Sequence, residues 1–363
     1  MSVNHCLHII RGMTHANLSP NHPSTHGLRL RPFAGDADFP LMAVVANASF
    51  AADGIASIRR ADDVRRDYAA MTRCDPSRDI VMAQLGEGID EQLVGYARTW
   101  DWTTGDGALV QGQIAFVHPA YRGRGVGSAL LHWLEARQRE VAQAARNHAG
   151  AGVRATRWLH QAFVTQGEHD RANLLHKAGY RIARHFLEME RPTLDNIPAF
   201  ALPPGFEVRP VLPEHLRAIY DAHIEALKDH WGFAPPPPGD FESWLKSRTL
   251  QPHLWQVAWH VDSNKVAGQV KPWIDAEQNE TQNRQRSYTE FISVGAPWRK
   301  RGLARALVVR ALQAQKDAGM EESALGVDGE SVFSAARLYE GCGFVVVKRN
   351  GLYRKAVGLD GIQ

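Results

Sequence analysis

The run Arg299-Lys300-Arg301-Gly302-Leu303-Ala304 sets cations beside two small residues just where an apolar stretch gives way to a helical one. A helix start leaves several backbone N–H groups without internal acceptors and carries the positive end of the helix dipole. It can therefore hold a phosphate with no dedicated side chain. Gly302 and Ala304 are small enough to let a diphosphate approach those amides. The same pattern stands earlier in the chain, at Arg122-Gly123-Arg124-Gly125-Val126-Gly127. Both copies fit Arg-x-x-Gly-x-(Gly/Ala), and both begin five residues after a valine, Val117 in one and Val294 in the other. The expectation is two anion cradles in the same register.

Cradles of this kind need a strand before them and a helix after. Tyr288 to Val294 has strand character, and a period of two groups Glu290 with Ile292 and Val294 on one face. Ala304 to Leu312 reads as the helix, while Ile114 to Tyr121 and Ser128 to Glu135 play the same parts around the first copy. The repetition extends further, since Leu28-Arg29-Leu30-Arg31-Pro32 is echoed by Phe206-Glu207-Val208-Arg209-Pro210. Arg31 and Arg209 are 178 residues apart and Arg122 and Arg299 are 177 apart, a near-constant offset that means internal duplication. Between the copies, residues 191–204 carry four prolines and read as an extended connector rather than a packed element. The chain then divides into a flexible leader (1–26), a first domain (27–192), a linker (193–204) and a second domain (205–357). Asp275 to Ser287 reads as a polar loop that projects into solvent or covers a substrate.

The two glycine loops, in this setting, resemble the signature of the GNAT superfamily of acyl-coenzyme A-dependent N-acetyltransferases. Leu338-Tyr339-Glu340-Gly341-Cys342-Gly343-Phe344 is similar to a second signature of that family. The resemblance implies an α/β (α+β) fold of two tandem GNAT domains. Each would be a mixed, mostly antiparallel sheet flanked by helices, with a splayed central strand pair. It implies that acetyl-CoA lies with its pyrophosphate on Arg299, Lys300, Arg301, Gly302, Leu303 and Ala304, and its pantetheine arm along Ile292, Ser293 and Val294. Ser331 stands where many relatives have Asn, and reaches less far. The first copy would use Val117, Arg122, Gly123, Arg124, Gly125 and Gly127. By the same resemblance Glu290 is the general base toward an amine and Tyr339 the general acid toward the departing thiolate.

The first copy lacks both groups. Its counterpart of Glu290 is Gln113, and Leu175 faces Tyr339, so it is expected to be a degenerate, non-catalytic domain that keeps a cofactor loop. Lys228-Asp229-His230-Trp231-Gly232 is similar to a stretch of tandem GNAT proteins of the mycothiol synthase type that borders the acceptor site, which makes His230 and Trp231 substrate-binding candidates. The alternative reading of the whole is an acyl-CoA-binding sensor or scaffold without turnover.

Composition narrows the partners. Lys and Arg number 42 against 39 Asp and Glu, a net charge of +3 that is too mild to argue for nucleic acid. No apolar run is long enough to span a bilayer. Cys6, Cys74 and Cys342 have no CxxC spacing, which fits a reducing cytoplasm and offers no disulfide framework. The leader holds His5, His8, His15, His22 and His26 but no matching carboxylate or second thiol, and reads as a solvated tail with no metal. It carries no small-residue cleavage pattern of a secretory signal. The expected partner is a small-molecule amine, bound by a monomer or homodimer in the cytoplasm.

Overall fold

In the computed structural model, which describes residues 27–69, 71, 73–86, 91–148, 157–331 and 335–357, the two halves of the chain follow a similar order of elements, with additions in each. The leader and its histidines lie outside the described residues. The first half contains β1 (Arg29–Pro32), α1 (Asp38–Ala52), α2 (Ala61–Ala69), α3 (Pro76–Asp79), β2 (Ile80–Leu85), β3 (Gln92–Thr103), β4 (Ala108–Val117), α4 (Val126–His148), β5 (Arg157–Val164), α5 (His169–Lys177) and β6 (Arg181–Arg191). The second contains β7 (Phe206–Val208), α6 (Leu216–Leu227), α7 (Asp240–Trp244), β8 (Gln256–His260), β9 (Lys265–Val270), β10 (Trp273–Ile274), α8 (Ala276–Gln282), β11 (Arg286–Tyr288), β12 (Ser293–Val294), α9 (Leu303–Asp317), β13 (Glu322–Asp328), α10 (Ala335–Glu340) and β14 (Val345–Ala356). No described helix is long and apolar enough to cross a membrane.

The duplication reappears in side-chain contacts. Gln138 of α4 is fully buried and donates to Thr99 Oγ1 at 2.8 Å; Gln315 of α9, 177 residues on, is fully buried and donates to Thr289 Oγ1 at 2.7 Å. A buried amide N–H must find a partner or cost stability, and the Nε2 of each of these glutamines finds one.

The expectation of one sheet per half needs correction. Ten strands form a single sheet in the order β1-β2-β3-β4-β5-β14-β6-β13-β11-β10, and four form another, β12-β9-β8-β7. The last strand of each half has crossed into the other: β14 lies between β5 and β6, and β6 lies between β14 and β13. Each crossing pairs an edge that would otherwise stand open. The segments 27–192 and 205–357 are thus contiguous in sequence and interleaved in the sheet.

Three further readings change. The segment 275–287 is not a projecting loop. Asp275 accepts the Gln278 N–H and starts α8, Asn283 ends it in the left-handed region, and β11 then pairs with β10. Gln282 donates to the Ala56 carbonyl and Glu277 pairs with Arg60, so this segment leans on the first half. The proline connector has no regular element, yet it is packed. Leu194 is buried, its N–H donates to the Glu321 carbonyl at 2.7 Å, and Ile197, Phe200 and Leu202 rest on the second core.

The stretch Tyr288 to Val294, read as one alternating strand, is two strands in different sheets. β11 runs parallel to β13, with Tyr288 opposite Ala324, whereas β12 runs antiparallel to β9, with Val294 opposite Gly268. The chain crosses between them at Phe291, whose φ is +50°. A left-handed residue interrupts the two-residue period, so Glu290 does not share a strand face with Ile292 and Val294. The expected splay is present. In the first half β4 achieves it without a break, pairing with β5 as far as Gln113 opposite Ala162 and continuing to Val117 beside β3 alone.

Candidate functional site

Both glycine loops adopt the same backbone. Gly123 and Gly125 have φ of +73° and +84°, and Lys300 and Gly302, each 177 residues later, have +62° and +83°. The turn needs left-handed points at both places, and the second copy fills one of them with lysine. α9 then starts at a glycine N-cap that offers no side-chain acceptor, which leaves the first-turn amides uncapped. Lys300 and Arg301 are exposed beside them.

The first arginine of each loop is turned toward its own chain. Arg299 donates to the carbonyls of Val294 (3.0 Å) and Ala226 (2.9 Å) and pairs with Asp229 at 2.7 Å. Arg122 forms a two-pronged pair with Asp53 at 2.6 and 2.8 Å and donates to Ser49 Oγ at 2.8 Å. The Asp53 carboxylate raises the pKa of the Arg122 guanidinium. Asp53 and Asp229 each lie just beyond the first long helix of their half, so these arginines tie the loop to that helix. Against the first loop lies a cavity of about 800 Å³ lined by Val117, Arg122, Gly123, Gly125 and Gly127, with Gln113 and Leu175 in its wall. A Cβ on Gly127 would meet Leu174 at 3.3 Å, so the small residue there is also demanded by packing.

Glu290 sits at the crossing between the two sheets, half-buried. Its Oε2 accepts the indole N–H of Trp273 at 3.0 Å, and that indole stacks on Tyr288 with ring centres 4.6 Å apart. Oε1 has no partner among the described residues. The Glu290 carbonyl accepts the Lys271 N–H at 3.0 Å. Three residues on, Ser293 Oγ and His223 Nδ1 share a hydrogen bond of 3.0 Å, and burial holds the imidazole pKa down to about 3. Ile292 and Val294 pack on the core of the second half. Gln113, the counterpart of Glu290, is buried and donates to Tyr180 Oη at 3.0 Å.

Tyr339 belongs to that same core and is only 7% exposed, with its ring edge-on to Phe344 at 6.3 Å. Burial raises its phenol pKa, and its hydroxyl makes no hydrogen bond to a described residue. Leu175 is buried at the matching place in the first half. The position faces inward in both copies, which the signature letters alone do not reveal. No hydrogen bond joins Tyr339 to Glu290 among the described residues. Ser331 lies in the turn after β13, its N–H directed to the Asp328 carbonyl at 3.2 Å.

Trp231 is held between two arginines from the exchanged strands: the guanidinium of Arg184 (β6) lies 4.8 Å from its ring centre and that of Arg354 (β14) 4.1 Å. Burial lowers the Arg354 pKa to about 10. Arg184 is fixed in turn by Asp328 at the end of β13. His230 and Trp231 line a cavity of about 700 Å³ between the halves, whose far wall is Arg98, Trp100 and Trp102 of β3. Burial, and then the nearby Arg299 charge, lower the His230 pKa.

Trp273, Lys271, His223, Arg184 and Arg354 were missed by sequence reasoning. Each comes from another element and joins the site only through the folds at Phe291 and between β6 and β14, so no local spacing marks it.

An acetyltransferase (GNAT) domain model matches residues 78–182 and an acetyltransferase (GNAT) family model matches residues 216–344. The mycothiol acetyltransferase of Kineococcus radiotolerans is 30% identical over 331 residues, covering 86% of this chain and 91% of that protein. The crystal structure of a GCN5-related N-acetyltransferase from Sphaerobacter thermophilus superposes with a TM-score of 0.68 at 28% identity, over 92% of this chain and 96% of that one. A tandem GNAT protein from the clavulanic acid biosynthesis pathway shares the fold, with a TM-score of 0.57 at 16% identity over 91% and 99% of the two chains.

Proposed function

The chain belongs to the GNAT acetyltransferase family and is an N-acetyltransferase, and from that premise we propose that its second half moves an acetyl group from acetyl-CoA to a primary amine of a small molecule. The observation that carries this reading is the parting of β12 from β13, with the uncapped start of α9 following β12 and Glu290, held at Oε2 by Trp273, at the crossing before it. β12 pairs with β9 on one side only, and beyond Ala324 β13 pairs only with β6. Both strands therefore turn unpaired backbone toward the gap, where a pantetheine arm can hydrogen-bond. When bound, acetyl-CoA supplies the activated acetyl thioester.

The chain's own groups then have distinct work. The amides at the start of α9 hold the diphosphate, with the exposed charges of Lys300 and Arg301 beside them. Arg299 keeps the loop in shape rather than touching phosphate. Backbone N–H groups around Ile292 to Val294 polarise the acetyl carbonyl. Glu290, oriented by Trp273, accepts the amine proton at Oε1, and the Tyr339 hydroxyl donates to the departing sulfur. A phenol with a raised pKa stays protonated across the neutral range, as a donor must. In the first half Gln113 can accept no proton and Leu175 has none to give, which supports a cradle that holds ligand without turnover. Relatives named mycothiol acetyltransferase favour an acceptor of the mycothiol type, and the cavity lined by His230, Trp231, Trp100 and Trp102 offers a partly aromatic wall for a small polar amine.

Thiol release from acetyl-CoA, followed across a panel of primary amines that includes cysteinyl aminosugars, tests this. We expect amine-dependent release by the native chain and a loss of ~10²-fold or more in kcat/KM for Glu290→Gln. We expect Tyr339→Phe to lower kcat with little change in the KM for acetyl-CoA, and with stability nearly intact because its hydroxyl makes no hydrogen bond to a described residue. Tight acetyl-CoA binding with no release for any amine would favour the sensor reading instead.

A further inference from the structure

Lys271 follows β9 and is only 2% exposed, yet it makes no hydrogen bond or ion pair through its side chain to any described residue. Its Nζ lies instead among three aromatic rings, 5.1 Å from the centre of Trp244, 5.5 Å from Trp255 and 5.2 Å from Phe291. Burying an ammonium without a counter-charge is costly, and a methionine would fill the same space without that cost. Phe291 is itself anomalous. It sits in the left-handed region, which a bulky side chain avoids, and the residue is 37% exposed. The same lysine reaches the crossing twice, because its backbone N–H also holds the Glu290 carbonyl.

We propose that Lys271 is a positioning residue whose ammonium, seated under the Phe291 ring, holds the left-handed crossing that carries the chain from β11 to β12 and keeps the coenzyme slot open. The favourable energy of a desolvated cation on a ring is similar in size to the strain of one left-handed side chain, so the contact can decide whether the crossing persists. This inference rests on the second half being the coenzyme-binding one.

A dependence on pH follows. Burial lowers the Lys271 pKa to about 7, so the cation is present below that pH and lost above it. The other groups facing it do not mimic this step. His223 on α6 stays neutral until about pH 3, the Tyr220–Asp240 pair (2.6 Å) stands behind Trp244, Arg248 lies over Trp273, and Glu290 is held by the Trp273 indole.

The test is calorimetric binding of coenzyme A from pH 5.5 to 8.5 by the full chain and by Lys271→Met, Lys271→Arg and the double variant Lys271→Met/Phe291→Gly. Ionisation of the ligand is common to all four and cancels in the comparison. We expect the native affinity to weaken roughly tenfold more than that of Lys271→Arg as pH rises through 7. Lys271→Met should bind roughly tenfold more weakly than the native chain at pH 6, and the double variant should recover because glycine adopts the crossing unaided. Native-like binding by Lys271→Met at every pH, or an unchanged pH step in Lys271→Arg, overturns the proposal. Should no variant and not even the native chain bind coenzyme A, the cofactor reading fails and melting temperatures decide this one. The shift caused by Lys271→Met should then differ by several degrees between the native and Phe291→Gly backgrounds, and equal shifts overturn it.

Discussion

Lys300 and Gly302 have the same kind of backbone and opposite side-chain demands. A Cβ built on Gly302 meets nothing within 4 Å, so the cost of adding one is purely conformational, at φ +83°. We expect Gly302→Ala to lower stability by ~1 kcal/mol. Lys300 already bears that strain, so Lys300→Gly trades its relief against a more flexible unfolded chain and should change stability by no more than ~0.5 kcal/mol. Urea unfolding of the two variants checks both values, and a neutral Gly302→Ala would mean that the loop tolerates a different backbone. At this scale the sequence was readable where a shape lies in contiguous letters, as in the two loops, whose backbones match. The roles proposed for Glu290, and for Gln113 and Leu175 in the first half, rest on the letters at those positions. Tyr339 was readable as a letter but not as a buried ring, because burial depends on what packs over α10. Lys271 and Trp273 were opaque, since nothing in Lys271-Pro272-Trp273 shows that a strand twenty residues later will fold back onto them.

Elements were legible in type and poorly legible in continuity. Most helices and strands fall where periodicity put them, and α8 was overlooked because its only local signal is the Asp275 cap on a polar sequence. The break at Phe291 left no mark because Glu290-Phe291-Ile292 is good strand composition; what bends it is the demand that one segment serve two sheets. The loop and α6 are a further coupled pair. Arg299 spans them with a planar fork whose nitrogens reach two carbonyls and a carboxylate, and a lysine ammonium cannot reach all three. Arg299→Lys should therefore weaken acetyl-CoA binding roughly tenfold and lower the melting temperature by a few degrees, about 1–2 kcal/mol for the hydrogen bonds left unmade. Binding calorimetry beside a melting curve separates this from a direct phosphate contact, because a lysine facing phosphate would keep much of the affinity and leave the melt unmoved.

The near-constant offset exposed a duplicated molecule, but not that its halves hold one another's last strand. Exchange is invisible in sequence because β6 and β14 would satisfy the same pattern beside either neighbour. The choice is made by the geometry of the packed connector and the pairing of β6 with β14 along their length. The consequence is thermodynamic. A fragment ending at residue 192 would leave β5 without β14 on its outer side and β6 with no partner at all, while a fragment from 205 would offer β13 no β6. Such edges are exposed, hydrogen-bond-hungry and prone to pair with other chains. Two independent domains would melt separately, whereas an interleaved sheet must break as one unit. We expect the full chain to unfold in a single calorimetric transition and each half made alone to be unfolded or aggregated, with soluble, folded material recovered when both are produced together. The decisive result against this is a monomeric 27–192 fragment with a sharp melt of its own. It would show that β5 and β6 can close on each other, and that the exchange adds little to what holds either half together.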